Sequence, residues 1–418
     1  PGRGARFTLE FPVRALQALG YAIDIHHLNE GHAAFAFVEL AKGKSPAEVA
    51  ALTDRFAFTC HTPVEAGHDR LPIDELAKVL TEEELAIAQR FGQDKHGDRV
   101  NLTILAMNAS KHVNAVAKKH EEVTKIQFPS HEEKIRGITN GIHIPTWISR
   151  PFEQLFNEYP RVFENWKDSP DSLHRVGELI HDRAFREKLW RAHKQNKAQL
   201  VELLRPWMVR EDIFTIAWAR RAAPYKRPSL ILQRPDRLVD IAKRYGGLQI
   251  LFAGKAHPED LVGTDNIKEI LNIIDSLEEH RHHLRAVFLE NYDTYVAKLL
   301  ISGVDVWLNN PLPPFEASGT SGMKAVLNGV LQLSTMDGWV VEAADNEIGE
   351  IFGHRSTNGE IGREMDLRLR EDSDSLCDKL ELMVQDYCEV ERMQPGDAHA
   401  SRWIDRMIHC IEVASFFN

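Results

Sequence analysis

Nine consecutive residues, Glu316-Ala317-Ser318-Gly319-Thr320-Ser321-Gly322-Met323-Lys324, combine a carboxylate, hydroxyls, flexible glycines and an amine. They follow an apolar run, Val304–Leu308, and a Pro-rich stretch, Asn309–Pro314, and they open into a helical pattern through Leu327. A Gly/Ser/Thr turn at a helix start leaves backbone N–H groups free, and these suit an anion. The spacing is not that of a Walker A loop, which has a longer gap before Gly-Lys-Ser/Thr. The plain alternative is a capped helix carrying a solvated lysine.

A second cluster, Arg220-Arg221-Ala222-Ala223-Pro224-Tyr225-Lys226-Arg227, directly follows the run Ile213–Trp218. Four cations at a strand's C-terminal end can cradle phosphate, arginine as a bidentate fork and lysine as a point charge. Lys255, in Ala253-Gly254-Lys255-Ala256-His257, ends the next run and adds to the same field. Taken alone, each is also a solvated basic turn. Nearer the N-terminus, Leu28-Asn29-Glu30-Gly31-His32 and Thr59-Cys60-His61-Thr62-Pro63 each offer a histidine, a residue type that is more often structural than functional. Thr139-Asn140-Gly141-Ile142 has the pattern of a tight turn. His26-His27 and His280–His283 lack carboxylate or thiolate partners at ligand spacing, so no metal site is expected.

The elements that must position these groups alternate. Apolar, β-rich runs at Ile213–Trp218, Leu248–Ala253, Ala286–Glu290, Val304–Leu308 and Val330–Ser334 predict strands. Helical patterns lie between them at Pro228–Arg244, Pro258–Leu277, Tyr292–Ser302 and Gly322–Leu327. Short apolar strands alternating with helices predict a parallel, doubly wound sheet with ligands at its C-terminal edge. The first part predicts helices at His32–Ala41, Pro46–Leu52 and, as one long element, Leu102–His120. A hinge is expected near Thr139–Pro151, with a boundary at 141/142. A helical connector is expected over Asp171–Trp207, and a helical tail over Asp374–Phe417 broken at Pro395–Gly396.

Composition sets the outer limits. The 418 residues carry 51 Lys+Arg against 62 Asp+Glu, a net charge of −11, which argues against nucleic acid as the main partner. Hydrophobic residues are 43%, ordinary for a globular chain long enough for two or three domains. Cys60, Cys377, Cys388 and Cys410 form no C-x-x-C pair and point to reduced thiols in the cytoplasm. No apolar run approaches the roughly 20 residues needed to span a bilayer, and Glu10 and Arg14 interrupt the only apolar stretch at the N-terminus.

Together these segments resemble the α-glucan (glycogen/starch) phosphorylase family, and are similar to its bacterial and archaeal branch. The resemblance rests on Leu28–His32, Thr139–Ile142, Tyr225-Lys226-Arg227, Phe288-Leu289-Glu290-Asn291-Tyr292, Glu316–Lys324, Leu327-Asn328-Gly329 and Asp337-Gly338, in order along most of the chain. It implies a glycosyltransferase-B fold of two Rossmann-like lobes. It implies pyridoxal phosphate held as a Schiff base by Lys324, its phosphate by Thr320, Ser321, Gly322, Arg220 and Lys226, with Tyr292 and Trp147 lining the pocket. Arg221 and Lys226 would bind orthophosphate. Glu316, Ser318, Gly319, Asn140, His61 and Tyr225 would contact the glucosyl unit. The implied reaction is retaining phosphorolysis of α-1,4-glucan (glycogen, starch or maltodextrin) to glucose 1-phosphate, with the cofactor phosphate as proton relay. The backbone carbonyl near His61 would help steady the cationic centre. A homodimer is the assembly to test.

The sequence also departs from that family. The Gly-rich loop of the N-terminal lobe is not found, the chain starts at Pro1, and it stops at Phe416-Phe417-Asn418. These lead to the expectation of an N-terminal lobe that is incomplete, a chain shortened at both ends, and little phosphorolysis by it alone. Two rivals follow. One is a non-catalytic glucan-binding fragment. The other is a sugar-nucleotide-dependent glucan synthase, which carries a second Glu where this chain has Lys324; lysine cannot replace that carboxylate but can form an imine.

Overall fold

The computed structural model describes residues 13–256, 260–343, 347–354, 365–393 and 400–418. The chain divides into two compact units between Thr139 and Asn140.

In the first unit β1 (His26–Asn29), β2 (Phe56–Thr59), β3 (Arg70–Pro72), β4 (Arg99–Asn101), β5 (His112–Ala115) and β6 (Ile135–Gly137) form two sheets. Four strands lie parallel in the order β1-β2-β5-β6, while β3 and β4 make a small antiparallel pair. Phe56, Phe58, Leu105, Met107, Val113 and Ile135 build the core. Parallel pairing puts Asn29 level with Thr59, so residues just past both strands share one edge.

The long helix expected over Leu102–His120 is three elements. A helix at Leu102–Ala109 is started by the Asn101 side chain, which accepts from the Thr103 and Ile104 N–H groups at 2.9 and 3.0 Å. The chain extends at Ser110, β5 follows, and a second helix covers Lys118–Gln127. The four residues of β5 pair with β2 on one side and β6 on the other, burying Val113 and Ala115. That two-sided pairing overrides local helix preference.

The second unit holds β7 (Thr215–Ala219), β8 (Leu248–Ala253), β9 (Leu284–Leu289), β10 (Val306–Asn309), β11 (Leu331–Ser334) and β12 (Gly349–Ile351). All pairs are parallel, in the order β12-β11-β10-β7-β8-β9. Five of these strands fall within about two residues of their expected bounds; β12 was not expected. Helices Pro235–Tyr245, Leu261–Ser276, Thr294–Gly303 and Thr320–Leu327 connect them. The first of these is shorter than Pro228–Arg244, because Pro235 excludes Arg234 from helical geometry and leaves only a 3-10 turn at Leu230–Gln233 before it. His257 and the expected helix start at Pro258 lie outside the described residues, as does the expected break at Pro395–Gly396. The connector is a 3-10 segment, Pro170–Leu179, then a helix, Arg183–Leu203, and a 3-10 turn, Arg205–Trp207; the tail holds helices Met365–Arg392 and Arg402–Ala414.

Strands run outward in one direction from β7 through β9, and in the other from β10 through β12. The reversal lies between β7 and β10, and a crevice opens above their C-terminal ends at such a point. Below, at their N-terminal ends, fully buried Asp305 locks the sheet to the connector helix. It accepts from Lys197 Nζ at 2.6 Å and the Thr215 N–H at 2.7 Å, and pairs with His193 Nε2 at 2.9 Å. Burial works against its charge, but Lys197 and His193 hold its carboxyl below the usual range. Asp305→Ala strands Lys197 as a buried charge, and should cost about 3–5 kcal/mol in urea unfolding. A loss under 1 kcal/mol would show that Lys197 finds another partner.

Candidate active site

The reversal point carries the polar residues. β7 runs directly into Arg220, and β10 ends at Asn309. Arg220 donates through Nη2 to Asn309 Oδ1 and through Nη1 to Glu316 Oε2 at 3.2 Å. Lys226 donates to both oxygens of the same carboxylate, at 3.2 and 2.9 Å. All three are nearly excluded from solvent, with Arg220 9%, Lys226 8% and Glu316 6% exposed. Burial, together with repulsion from Arg220, brings the Lys226 ammonium down to about 8, against the pull of Glu316. Burial opposes the charge on Glu316, yet Lys226 and Arg220 hold that carboxyl below its ordinary value. Tyr225 lies under the Lys226 ammonium, 4.9 Å from ring centroid to Nζ, and burial beside Glu316 pushes its phenol up to about 12. Arg221 is exposed, and its charge reaches both Lys226 and Glu316. Lys255 follows β8 at the same edge and is exposed.

The loop holding Glu316 is itself held. Asp337, fully buried just past β11, accepts from the Glu316 N–H and the Gly338 N–H, each at 2.8 Å. The Trp339 N–H donates to Ser318 O at 2.8 Å. Gly338 adopts φ 57°, and a Cβ there would lie 2.3 Å from Ser318 O, so the contact requires glycine. On the other side Leu312 N–H donates to Tyr225 O at 2.7 Å, and Arg227 donates to the carbonyls of Asn310 and Pro311 at 3.0 Å each. The basic loop and the loop after β10 are thereby one assembly.

Gly319, left-handed at φ 96°, turns the chain into the helix Thr320–Leu327 without a side-chain cap. Thr320 and Ser321 are half-buried at that start, and Gly322 is buried where a Cβ would meet Trp339 Nε1 and Gln332 Oε1 at 2.8 Å. One turn on, half-buried Lys324 places Nζ 3.7 Å from the centre of the Trp147 ring. Among the described residues its ammonium has no hydrogen-bond or ion-pair partner, and burial lowers its proton affinity. Trp147 is fixed through its backbone: Asn328 Nδ2 donates to Trp147 O at 3.0 Å and to Lys324 O at 2.9 Å, while Asn328 Oδ1 accepts from the Ser149 N–H at 2.8 Å. Tyr292 packs against the same apolar cluster as Trp147, and its phenol is raised by burial against the opposing charge of Arg220.

Two further residues were expected at the site. Asn140 is half-buried at the start of the second unit, just before Ile142 donates to Phe417 O at 2.7 Å; Phe417 packs edge-on against Trp339. His61 belongs to the first unit, past the end of β2, where its N–H donates to Glu30 Oε2 at 2.8 Å and its Nε2 meets Asn29 Oδ1 at 2.5 Å. Burial lowers the His61 imidazole, against the pull of Glu30. Nearby Glu30, Cys60 and His68 bring one potential ligand atom each within 4.8 Å. Burial and Glu30 push the Cys60 thiol up to about 12, so it stays protonated at neutral pH. Sequence reasoning gave no role to Asn309, Asp337, Asn328 or Trp339. Position at or just past the end of a parallel strand was a signal for Asn309 and Asp337; Asn328 and Trp339 act through contacts no local pattern shows.

A parallel sheet in each unit, with buried cations at a strand-order reversal of the second, defines an α/β fold of the glycosyltransferase-B type. The chain belongs to the carbohydrate phosphorylase family, whose profile matches residues 72–399. It is 37% identical over 384 residues to the maltodextrin phosphorylase of Thermococcus litoralis, covering 84% of this chain and 45% of that protein. It is 35% identical to the glycogen phosphorylase of Aquifex aeolicus over 83% of this chain and 55% of that protein. For the glycogen phosphorylase of Mycobacterium tuberculosis the identity is 32%, over 78% and 42%. The chain thus spans about half the length of the curated relatives it matches. Among the described residues no helix is long and apolar enough to cross a membrane.

Lys226 loses its proton near pH 8, and above that the cluster loses one positive charge. Orthophosphate affinity should therefore fall as pH rises through about 8, followed by calorimetric titration. In Glu316→Gln the raising influence of the carboxylate is gone, so the midpoint should move to lower pH. An unchanged midpoint would place the titration on another group.

Proposed function

We propose that this chain carries the phosphate- and cofactor-binding part of an α-glucan phosphorylase. The reaction would be retaining phosphorolysis of terminal α-1,4-glucosidic bonds of the glucans named in its relatives, giving glucose 1-phosphate. The observation that carries this reading is the Lys324 ammonium, half-buried and without a counter-charge among the described residues, on the helix entered directly from the loop where Lys226 and Arg220 grip Glu316.

The residues fit pyridoxal phosphate. Lys324 is an available amine with lowered proton affinity, and Trp147 presents a flat ring beside it. Arg220 Nε and Ser318 Oγ are buried without hydrogen-bond partners among the described residues. Thr320, Ser321 and Gly322 open the helix, whose positive N-terminal end favours a phosphate. Lys324 would anchor the cofactor, with Arg220, Lys226 and those three residues at its phosphate, and Tyr292 and Trp147 flanking its ring. When bound it supplies a phosphate monoester, whose second pKa near 6 suits proton exchange at neutral pH.

The protein's own groups do the rest. Arg221 and Lys226 would hold orthophosphate, Lys226 turning part of its charge from Glu316 to the incoming anion. Glu316, Ser318, Gly319, Tyr225, Asn140 and His61 would orient the glucosyl unit. The anomeric C–O bond would break, an oxygen of orthophosphate would bond to that carbon on the same face, and the departing sugar oxygen would take the proton that orthophosphate gives up. Fixed cations at the incoming phosphate stabilise the charge that moves, without reorganising. A sugar-nucleotide synthase is disfavoured because Lys324 stands where its second carboxylate belongs.

Borohydride reduction of protein loaded with pyridoxal phosphate, followed by peptide mapping, should place the adduct on the peptide containing Lys324. An adduct confined to other lysines overturns the assignment. Lys226→Met should weaken orthophosphate binding by about tenfold or more in calorimetric titration, the loss of one charge-assisted contact. A change of less than about threefold would remove Lys226 from orthophosphate binding.

A further inference from the structure

Opposite the crevice, at the N-terminal ends of β8 and β9, lies a second cavity of about 380 Å³. A parallel strand of six residues separates the two edges by about 20 Å. Arg210, Arg281, His282, His283 and Arg285 line it, with Gln249 at its base and no carboxylate among its lining residues. In a chain of net charge −11 this is a local reversal of sign.

Part of this wall is held in place. Gln249, 2% exposed, clamps the backbone of Arg210, accepting from its N–H at 2.7 Å and donating to its carbonyl at 2.9 Å. Arg285 donates through Nη1 to Trp207 O at 3.1 Å and through Nη2 to Arg281 O at 3.5 Å. A guanidinium tied to carbonyls is oriented but keeps its full charge. Arg210 and Arg281 do have acidic neighbours, Asp212 and Glu278, both outside the lining of the cavity. The surplus charge is thus centred on Arg285, with two imidazoles beside it. A concave wall concentrates such a field, and guanidinium forks match phosphate oxygens.

We propose that this cavity binds a small phosphate-bearing anion, of the phosphate-ester or diphosphate class, at a site separate from the catalytic crevice. Its charge and size suit a phosphorylated metabolite, and its place across the sheet from Arg220 and Lys226 lets both sites fill together.

Inorganic pyrophosphate is the probe, titrated calorimetrically into the full chain at low salt. Binding should persist in Lys226→Met, where the crevice is impaired. Adding Arg285→Glu to that protein should weaken the remaining binding by about tenfold or more, about 1.4 kcal/mol. Lys268→Glu, an exposed reversal elsewhere, should leave it unchanged. Binding lost wholly in Lys226→Met, or insensitive to Arg285→Glu, or equally weakened by Lys268→Glu, would each overturn the proposal. Crevice binding that is unaffected by Lys226→Met would instead count against the phosphorylase reading, and leave the second site standing.

Discussion

The Glu316 carboxylate, buried between Lys226 and Arg220, is the constraint on which the rest of the second unit's crevice depends. Two cations and one anion out of water are tolerable only when they face each other, because desolvation costs several kcal/mol per ion. Each partner therefore fixes the others. Glu316 keeps two like charges together, and they in turn keep it ionised. Asp337 extends the device by holding the Glu316 backbone, so the carboxylate cannot swing away to solvent.

Topology makes that meeting inexpensive in chain length. Arg220 and Asn309 lie at the ends of strands that are neighbours in space but separated by two strands in sequence. The arginine reaches the asparagine across the reversal of strand order, and the loop after β10 needs only a few residues to bring Glu316 beneath Lys226. The hydrogen bonds from Arg227 to the carbonyls of Asn310 and Pro311 hold that short path.

Much of this was legible in the sequence, because most of the second unit's strands are apolar runs buried on both faces. Such runs leave a signal at β7, β8, β9, β10 and β11. β12 has a half-buried Gly-Glu-Ile pattern and left none. In the first unit β5 is four residues with only Val113 and Ala115 buried, and its identity comes from the strands on either side. The site followed the same division. Arg220, Lys226, Glu316 and Lys324 announce themselves by type and by position after strands. That Lys324 faces Trp147, and that Asn328 holds Trp147 there, are facts about packing between segments more than 170 residues apart. His61 and Asn140 remain candidates from resemblance, each with its own local order.

Lys324 and Lys226 show how one sheet edge prepares two amines for different work. Both lose proton affinity through burial. Lys226 has a carboxylate within 2.9 Å, which keeps it charged up to about pH 8 and suits it to hold an anion. Among the described residues Lys324 faces only an indole ring, an attraction that favours the cation weakly. An amine that must become a nucleophile benefits from that poorer partner, since a salt bridge would have to be broken first. Under the proposed function, the difference between an anion holder and a covalent anchor would be set by what lies opposite each nitrogen. In this fold that is decided by the loop carrying Glu316 and by the backbone clamp on Trp147.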